Sequence, residues 1–152
     1  MRRIAIIGCC TAAVVGCAKT ETKAPAVSQA PPPPALALAD VAGKWTVRGM
    51  NEAKDSTLVT YQLNATADTS GWTITFPNRK QPIPVRVTTV GGDSLVIEAG
   101  PYASVLRKGV QVSTHGVLRL QGGKLVGLTL AHYTTSKPDS VRRIAMEGMR
   151  LQ

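Results

Sequence analysis

The stretch Ile83-Pro84-Val85-Arg86-Val87-Thr88-Thr89-Val90-Gly91-Gly92-Asp93-Ser94-Leu95-Val96-Ile97-Glu98-Ala99 decides the fold. Its residue types alternate with a period of two: Val85 and Val87 oppose Arg86 and Thr88, and Leu95, Ile97 and Ala99 share a side opposite Glu98. Successive side chains of a strand point to opposite faces, so each run presents one core face and one outer face. Gly91-Gly92-Asp93, between the runs, is turn chemistry. Keeping Val87 opposite Ile97 requires an even register sum, which a three-residue loop supplies. The same register sets Arg86 opposite Glu98 on the outside.

The pattern continues in both directions. Strands are expected over Trp45 to Met50, Leu58 to Ala65, Trp72 to Phe76, Ile83 to Val90, Ser94 to Ala99, Val110 to Leu120, Leu125 to Tyr133 and Val141 to Leu151. Gly, Pro, Asn and Asp punctuate them at short intervals, and helical periodicity is absent after Gly43. Val59, Tyr61 and Leu63 share one face, as do Trp72, Ile74 and Phe76. Gln121-Gly122-Gly123 is read as a three-residue loop that places Leu118 against Val126. The fold class is therefore all-β, a single eight-stranded antiparallel up-and-down barrel over residues 40–152, with a sandwich as the alternative. Closing the sheet removes the edges that invite aggregation. A membrane-spanning barrel needs strands of about 9 to 11 residues and aromatic girdles. Most of the expected strands are shorter, and the chain has only six aromatic residues.

Before the barrel come two segments of other character. Met1-Arg2-Arg3 sets two positive charges ahead of an uncharged, mostly apolar run from Ile4 to Gly16, the pattern of an export signal covering residues 1–16. Thirteen helical residues would span only about 20 Å against a hydrocarbon core of about 30 Å, which disfavours a permanent transmembrane helix. Residues 18–39 are rich in Ala, Pro, Thr and Lys, include Pro31-Pro32-Pro33-Pro34, and hold few large apolar side chains before Leu36. Such a stretch packs no core and reads as a disordered tether, reaching up to roughly 70 Å if fully extended. Leu36 to Val41 is expected to make a helical turn leading into the fold.

Val14-Val15-Gly16-Cys17 resembles the lipobox of bacterial lipoproteins. The resemblance implies cleavage before Cys17, lipidation of Cys17, and attachment to membrane through that lipid. Ala18 after the cysteine resembles residues that permit release to the outer membrane, which implies the periplasmic face of that membrane in a host with two. The plain alternative makes Cys9, Cys10 and Cys17 small apolar residues of an ordinary secretory signal. Under either reading no cysteine remains for a disulfide, so the core alone must hold the domain.

The chain carries 18 Lys and Arg against 9 Asp and Glu, a net charge of +9. Losing Arg2 and Arg3 with the signal leaves +7 on the processed chain. A basic surface attracts polyanions. For an exported, tethered protein the candidates are anionic lipid and envelope polymers; a nucleic acid partner is not expected. The excess is equally consistent with plain solubility, and the expected state is a monomer.

A second resemblance rests on Leu38-Ala39-Asp40-Val41-Ala42-Gly43-Lys44-Trp45, which looks like the opening of lipocalins and related calycins, where a short helical turn precedes Gly-x-Trp on the first strand. In those barrels an arginine near the end of the last strand covers the tryptophan. The resemblance therefore implies that Gly43, Trp45 and Arg150 close the barrel, with the guanidinium stacked on the indole. The family's Thr-Asp-Tyr motif is missing, since Gln121-Gly122-Gly123 stands in its place, and no helix follows the last expected strand. The likeness is architectural and carries over no ligand.

Little else in the sequence suggests chemistry. His115 and His132 are assigned to opposite faces, His132 with Val126, Leu128 and Leu130, His115 with Gln111, Ser113 and Arg119. No metal site is expected, because zinc or copper needs three or four converging ligands. Glu98 is matched to Arg86, while Asp40, Asp55, Asp68, Asp93 and Asp139 fall in turns, and Glu147 is read as rim or interior. No cofactor and no catalytic residue is expected. Two basic links, one with Arg79 and Lys80, the other with Tyr102, Arg107 and Lys108, fall at the same end of a meander. With His132 they form the expected rim for a ligand or partner. The function expected is non-enzymatic: a tethered module that binds a small amphiphilic or anionic ligand. The alternative is a solid barrel that docks or inhibits an envelope protein.

Overall fold

The computed structural model describes residues 35–152. The export signal, Cys17 and the tether through Pro34 lie outside the described residues. Within them, a short helix α1 (Leu38–Val41) leads into eight strands: β1 (Gly43–Met50), β2 (Thr57–Ala65), β3 (Thr73–Thr75), β4 (Ile83–Gly91), β5 (Ser94–Ala103), β6 (Gln111–Gln121), β7 (Lys124–Tyr133) and β8 (Val141–Arg150). Each strand pairs antiparallel with its neighbour in sequence, and β1 pairs with β8, closing an up-and-down barrel. This is the eight-stranded up-and-down barrel expected from the alternation, and it is lipocalin-like in architecture, as the resemblance implies.

Apolar side chains fill the inside. Trp45, Leu63, Trp72, Leu95 and Leu125 are essentially inaccessible to solvent, and α1 adds Val41 beneath them. A buried indole N–H without a partner costs roughly 1–3 kcal/mol. Both find carbonyls four residues back: Trp45 Nε1 donates to Val41 O at 2.8 Å and Trp72 Nε1 to Asp68 O at 2.7 Å. Ion pairs stud the outside, with Arg86–Glu98 at 2.7 Å, Arg48–Glu147 at 3.0 Å and Arg143–Glu52 at 2.8 Å. An apolar inside and a charged outside is the reverse of a membrane barrel with a polar lumen.

The register departs from expectation at both glycine hairpins. Arg86 does face Glu98 and Val87 faces Ile97, but Gly91 pairs with Ser94 across a two-residue turn. The expected three-residue loop is replaced by that turn plus an irregularity between Val87 and Thr89, which restores the even sum. At the second hairpin Gln121 pairs with Lys124, and Gly122 (φ +56°) and Gly123 (φ +76°) form the turn. Positive φ at both central residues matches the right-handed strand twist, so glycine selects the tighter loop. No irregularity compensates there. Leu118 therefore faces Gly127 and not Val126, and every side of β7 is exchanged relative to expectation. Leu125, Ala131 and Tyr133 point inward and are buried, while Val126, Leu128, Leu130 and His132 point outward. Two strands are also shorter than expected, with β3 confined to Thr73–Thr75 and β8 stopping at Arg150, while β5 runs on to Ala103 and holds Tyr102 in the sheet opposite Val112, not in the link.

Candidate functional site

The two ends of the barrel differ. At one, α1 packs under the core, Leu36 N donates to Gly92 O at 2.7 Å, and Leu151 N donates to Lys44 O at 2.8 Å. Arg150 closes this end. Its guanidinium carbon lies 4.3 Å from the Trp45 ring centroid, Nη2 donates to Asp40 O at 2.6 Å, and Nη1 donates to Ala42 O. A Cβ on Gly43 would stand 2.8 Å from that Nη1, so the stack and the glycine are one arrangement. Gly43, Trp45 and Arg150 thus come together at this end.

The other end holds a cavity of about 60 Å³. Its walls are mainly apolar, including Ile97, Val112, Ala131 and Met146. Tyr61, Tyr102 and Tyr133, with Thr114 and Thr129, contribute the polar atoms. Tyr61 packs edge-on against Phe76 at 5.4 Å, and Phe76 lies 5.9 Å from Tyr102. Burial pushes the Tyr61 hydroxyl well up from its ordinary value, with Tyr102 adding to the shift. Burial also raises Tyr102, against hydrogen bonding to Thr114. These two phenols stay protonated at neutral pH and keep their donor hydrogens. Space for one water needs about 10–15 Å³, whereas an engineered apolar cavity that takes benzene measures about 150 Å³. The cavity therefore admits the tip of an aliphatic chain.

That loop joins β5 to β6 and includes Val105 and Leu106, which line the cavity. Ser104 Oγ accepts from Leu106 N at 3.1 Å and Arg107 N at 3.0 Å, so a serine turn shapes it. Two arginines pin it from outside. Arg107 stacks 4.1 Å from the Tyr133 centroid and pairs with Asp139 at 2.7 Å. Arg79, from the β3–β4 link, sits 5.6 Å from the Tyr102 centroid and donates to Ala103 O at 3.0 Å. Arg79, Tyr102 and Arg107 therefore meet at one mouth, with Lys80 and Lys108 exposed on the same two links.

His132 is not part of that rim. The exchanged sides of β7 turn it outward, where it pairs with Ser113 and shares the barrel wall with His115. Both histidines border a broad outer cleft with Arg86 and Glu98. Hydrogen bonding from Arg86, then from His115, holds the Glu98 carboxyl below the usual range. Glu147 is likewise neither rim nor interior. It lies on the outer wall, and its carboxyl is held low first by Arg48 and then by Lys124. Among the described residues no group of three or more His, Cys, Asp or Glu is placed to hold a metal ion. Sequence reasoning missed Tyr133 and Ala131 as lining residues, because their side depended on a turn length set by glycine φ angles.

Compared with known proteins, the chain matches no family model, no curated protein and no solved structure.

Proposed function

We propose that the chain is a membrane-anchored envelope lipoprotein whose barrel binds a small amphiphile, the apolar part entering the cavity and an anionic head resting on the mouth. The observation that carries the reading is an apolar cavity bordered by three tyrosines and opening where Arg79, Lys80, Arg107 and Lys108 gather. Such pockets, mostly apolar with a few convergent polar groups, are the usual form of small-molecule sites. The probe that tests it is octyl sulfate, an aliphatic chain whose tip the cavity admits, with one anionic group. The detergent-solubilised chain is expected to bind it in isothermal titration calorimetry after subtraction of the detergent blank, and Ala131→Leu, which fills the cavity, is expected to weaken binding at least tenfold. Overpacking costs about 1–3 kcal/mol, so the variant is checked for folding by circular dichroism. Equal binding by a folded Ala131→Leu variant removes the cavity from the function.

Anchoring has its own test. Cys17→Ser is expected to abolish incorporation of labelled fatty acid and to leave the precursor uncleaved; label retained in that variant would assign the lipid to another residue. Two or three acyl chains make attachment effectively permanent where one exchanges.

A second reading, a module that docks an envelope protein, draws on the outer wall. Val96, Val117 and Leu128 form one outward-facing row across three strands, and Val117 is 37% exposed, while Ala145 and Met50, which continue the row, are buried. Failure of the cavity to bind the probe would leave this reading in first place.

A further inference from the structure

The connections at the two ends of the barrel differ sharply in charge. Those at the mouth are residues 51–56, 76–82, 104–110 and 134–140, and they carry Lys54, Arg79, Lys80, Arg107, Lys108 and Lys137. Their acids are Glu52, Asp55 and Asp139. Of these, Glu52 is paired with Arg143 and Asp139 with Arg107, and Asp55 accepts a hydrogen bond from Asn51 Nδ2 at 2.6 Å. Arg79, Lys80, Lys108 and Lys137 have no ion-pair partner among the described residues. At the closed end, residues 35–42, 66–72, 92–93 and 122–123 contain Asp40, Asp68 and Asp93 and no lysine or arginine. With Lys44, Lys124 and Arg150 on the strand ends beside these links, the closed end is near charge balance, and the positive excess lies at the mouth.

The positive pole also has an apolar tip. Val105, in the loop that covers the cavity, is 44% exposed and immediately precedes Leu106, Arg107 and Lys108. Lysines and arginines around an exposed aliphatic residue suit a surface with anionic groups above and hydrocarbon beneath. A polyanionic sugar would satisfy the charges but leave Val105 without a partner. The described chain enters at the opposite end, where Leu36 meets Gly92, so the entering segment does not cross the mouth.

We infer that the mouth of the barrel docks on an anionic lipid surface, with Val105 at headgroup depth and Lys80, Lys108 and Lys137 against the phosphates. Docking places the cavity entrance at the bilayer, and Arg79 and Arg107 there lie between the loop and the headgroups. The ligand then is a component of that bilayer, an anionic lipid or a product of one. This last step rests on the ligand-binding reading; the docking itself rests on the charge layout.

The test uses the full chain with Val105→Trp, mixed with vesicles of phosphatidylglycerol or of phosphatidylcholine. Trp45 and Trp72 are buried near the closed end and supply a constant background. Phosphatidylglycerol is expected to shift the added emission to the blue and to allow quenching by brominated acyl chains, while phosphatidylcholine does neither. Raising the salt to about 0.5 M should reverse the effect by screening. Each basic residue near an anionic surface contributes about fivefold in affinity, so Lys80→Glu with Lys108→Glu should weaken docking at least roughly 25-fold. The readout is local to residue 105, so attachment through the N-terminal segment does not imitate it. An equal shift for Ala67→Trp, at the closed end, would overturn the inference. So would an unchanged emission at position 105 in a folded chain, or a shift produced by dextran sulfate and not quenched by brominated lipid. Binding of octyl sulfate without vesicles separates loss of docking from loss of the ligand site.

Discussion

Trp45→Ala is expected to lower the melting temperature by about 10–25 °C. Truncating a buried aromatic to alanine costs about 3–5 kcal/mol, and each kcal/mol moves the midpoint by roughly 3–6 °C in a domain of this size. Trp45 stands at the centre of the closed end: it is inaccessible to solvent, its N–H holds α1 through Val41, and its outer face carries the Arg150 guanidinium. Arg150→Ala should cost less, because the indole remains packed. In the double variant the two losses should fall short of their sum, since both remove the same stack. Thermal unfolding followed by near-ultraviolet circular dichroism reads all three variants. A shift under about 4 °C for Trp45→Ala would remove the closed end as the anchor of the fold.

Gly127→Ala is the smallest substitution from which a comparable loss is expected. A Cβ at this position would lie 2.0 Å from Val117 O and 3.0 Å from Leu118 Cα. Both are backbone atoms of the neighbouring strand, so no side-chain rotation relieves the clash. β6 and β7 must separate locally, and the expected cost is about 3 kcal/mol or more, at the upper end for overpacking. Gly91→Ala is the control, because nothing lies within 4 Å of its Cβ position, and it should change stability by less than about 0.5 kcal/mol. Urea unfolding of the two variants measures the difference. Equal midpoints would mean that β6 and β7 do not approach as closely as described.

Gly127 also marks where reading the sequence reached its limit. Alternation located all eight strands to within a few residues, because a half-buried sheet imposes a period of two on residue type. It oriented β2 to β5 correctly because their two faces differ in kind, as Arg86 and Glu98 differ from Val87 and Ile97. In β7 both faces are apolar: Leu125 and Ala131 lie on one, Val126, Leu128 and Leu130 on the other. Hydropathy there cannot choose a side. The decision passes to the Gly122-Gly123 turn, whose positive φ angles are visible only in the backbone. The basic mouth was legible because meander topology alone puts the β3–β4 and β5–β6 links at one end. The tyrosine stacks beneath it were not, since Tyr133 takes its direction from that same turn.

The seam between β1 and β8 sets an order of events. Arg48 and Glu147 meet across it although 99 residues separate them, and the same pairing runs from Trp45 with Arg150 to Met50 with Ala145. A chain made from its N-terminus presents β1 first and β8 last. At roughly 5–20 residues per second, β1 waits about 5–20 s with one edge bare. During that wait Trp45 has no guanidinium above it, and the sheet is an open ribbon with two edges able to recruit other strands. Every product that stops before Ala145 has no residue to pair with β1 and remains in that state. Closure is therefore a length check written into the fold, and incomplete chains stay exposed to proteolysis.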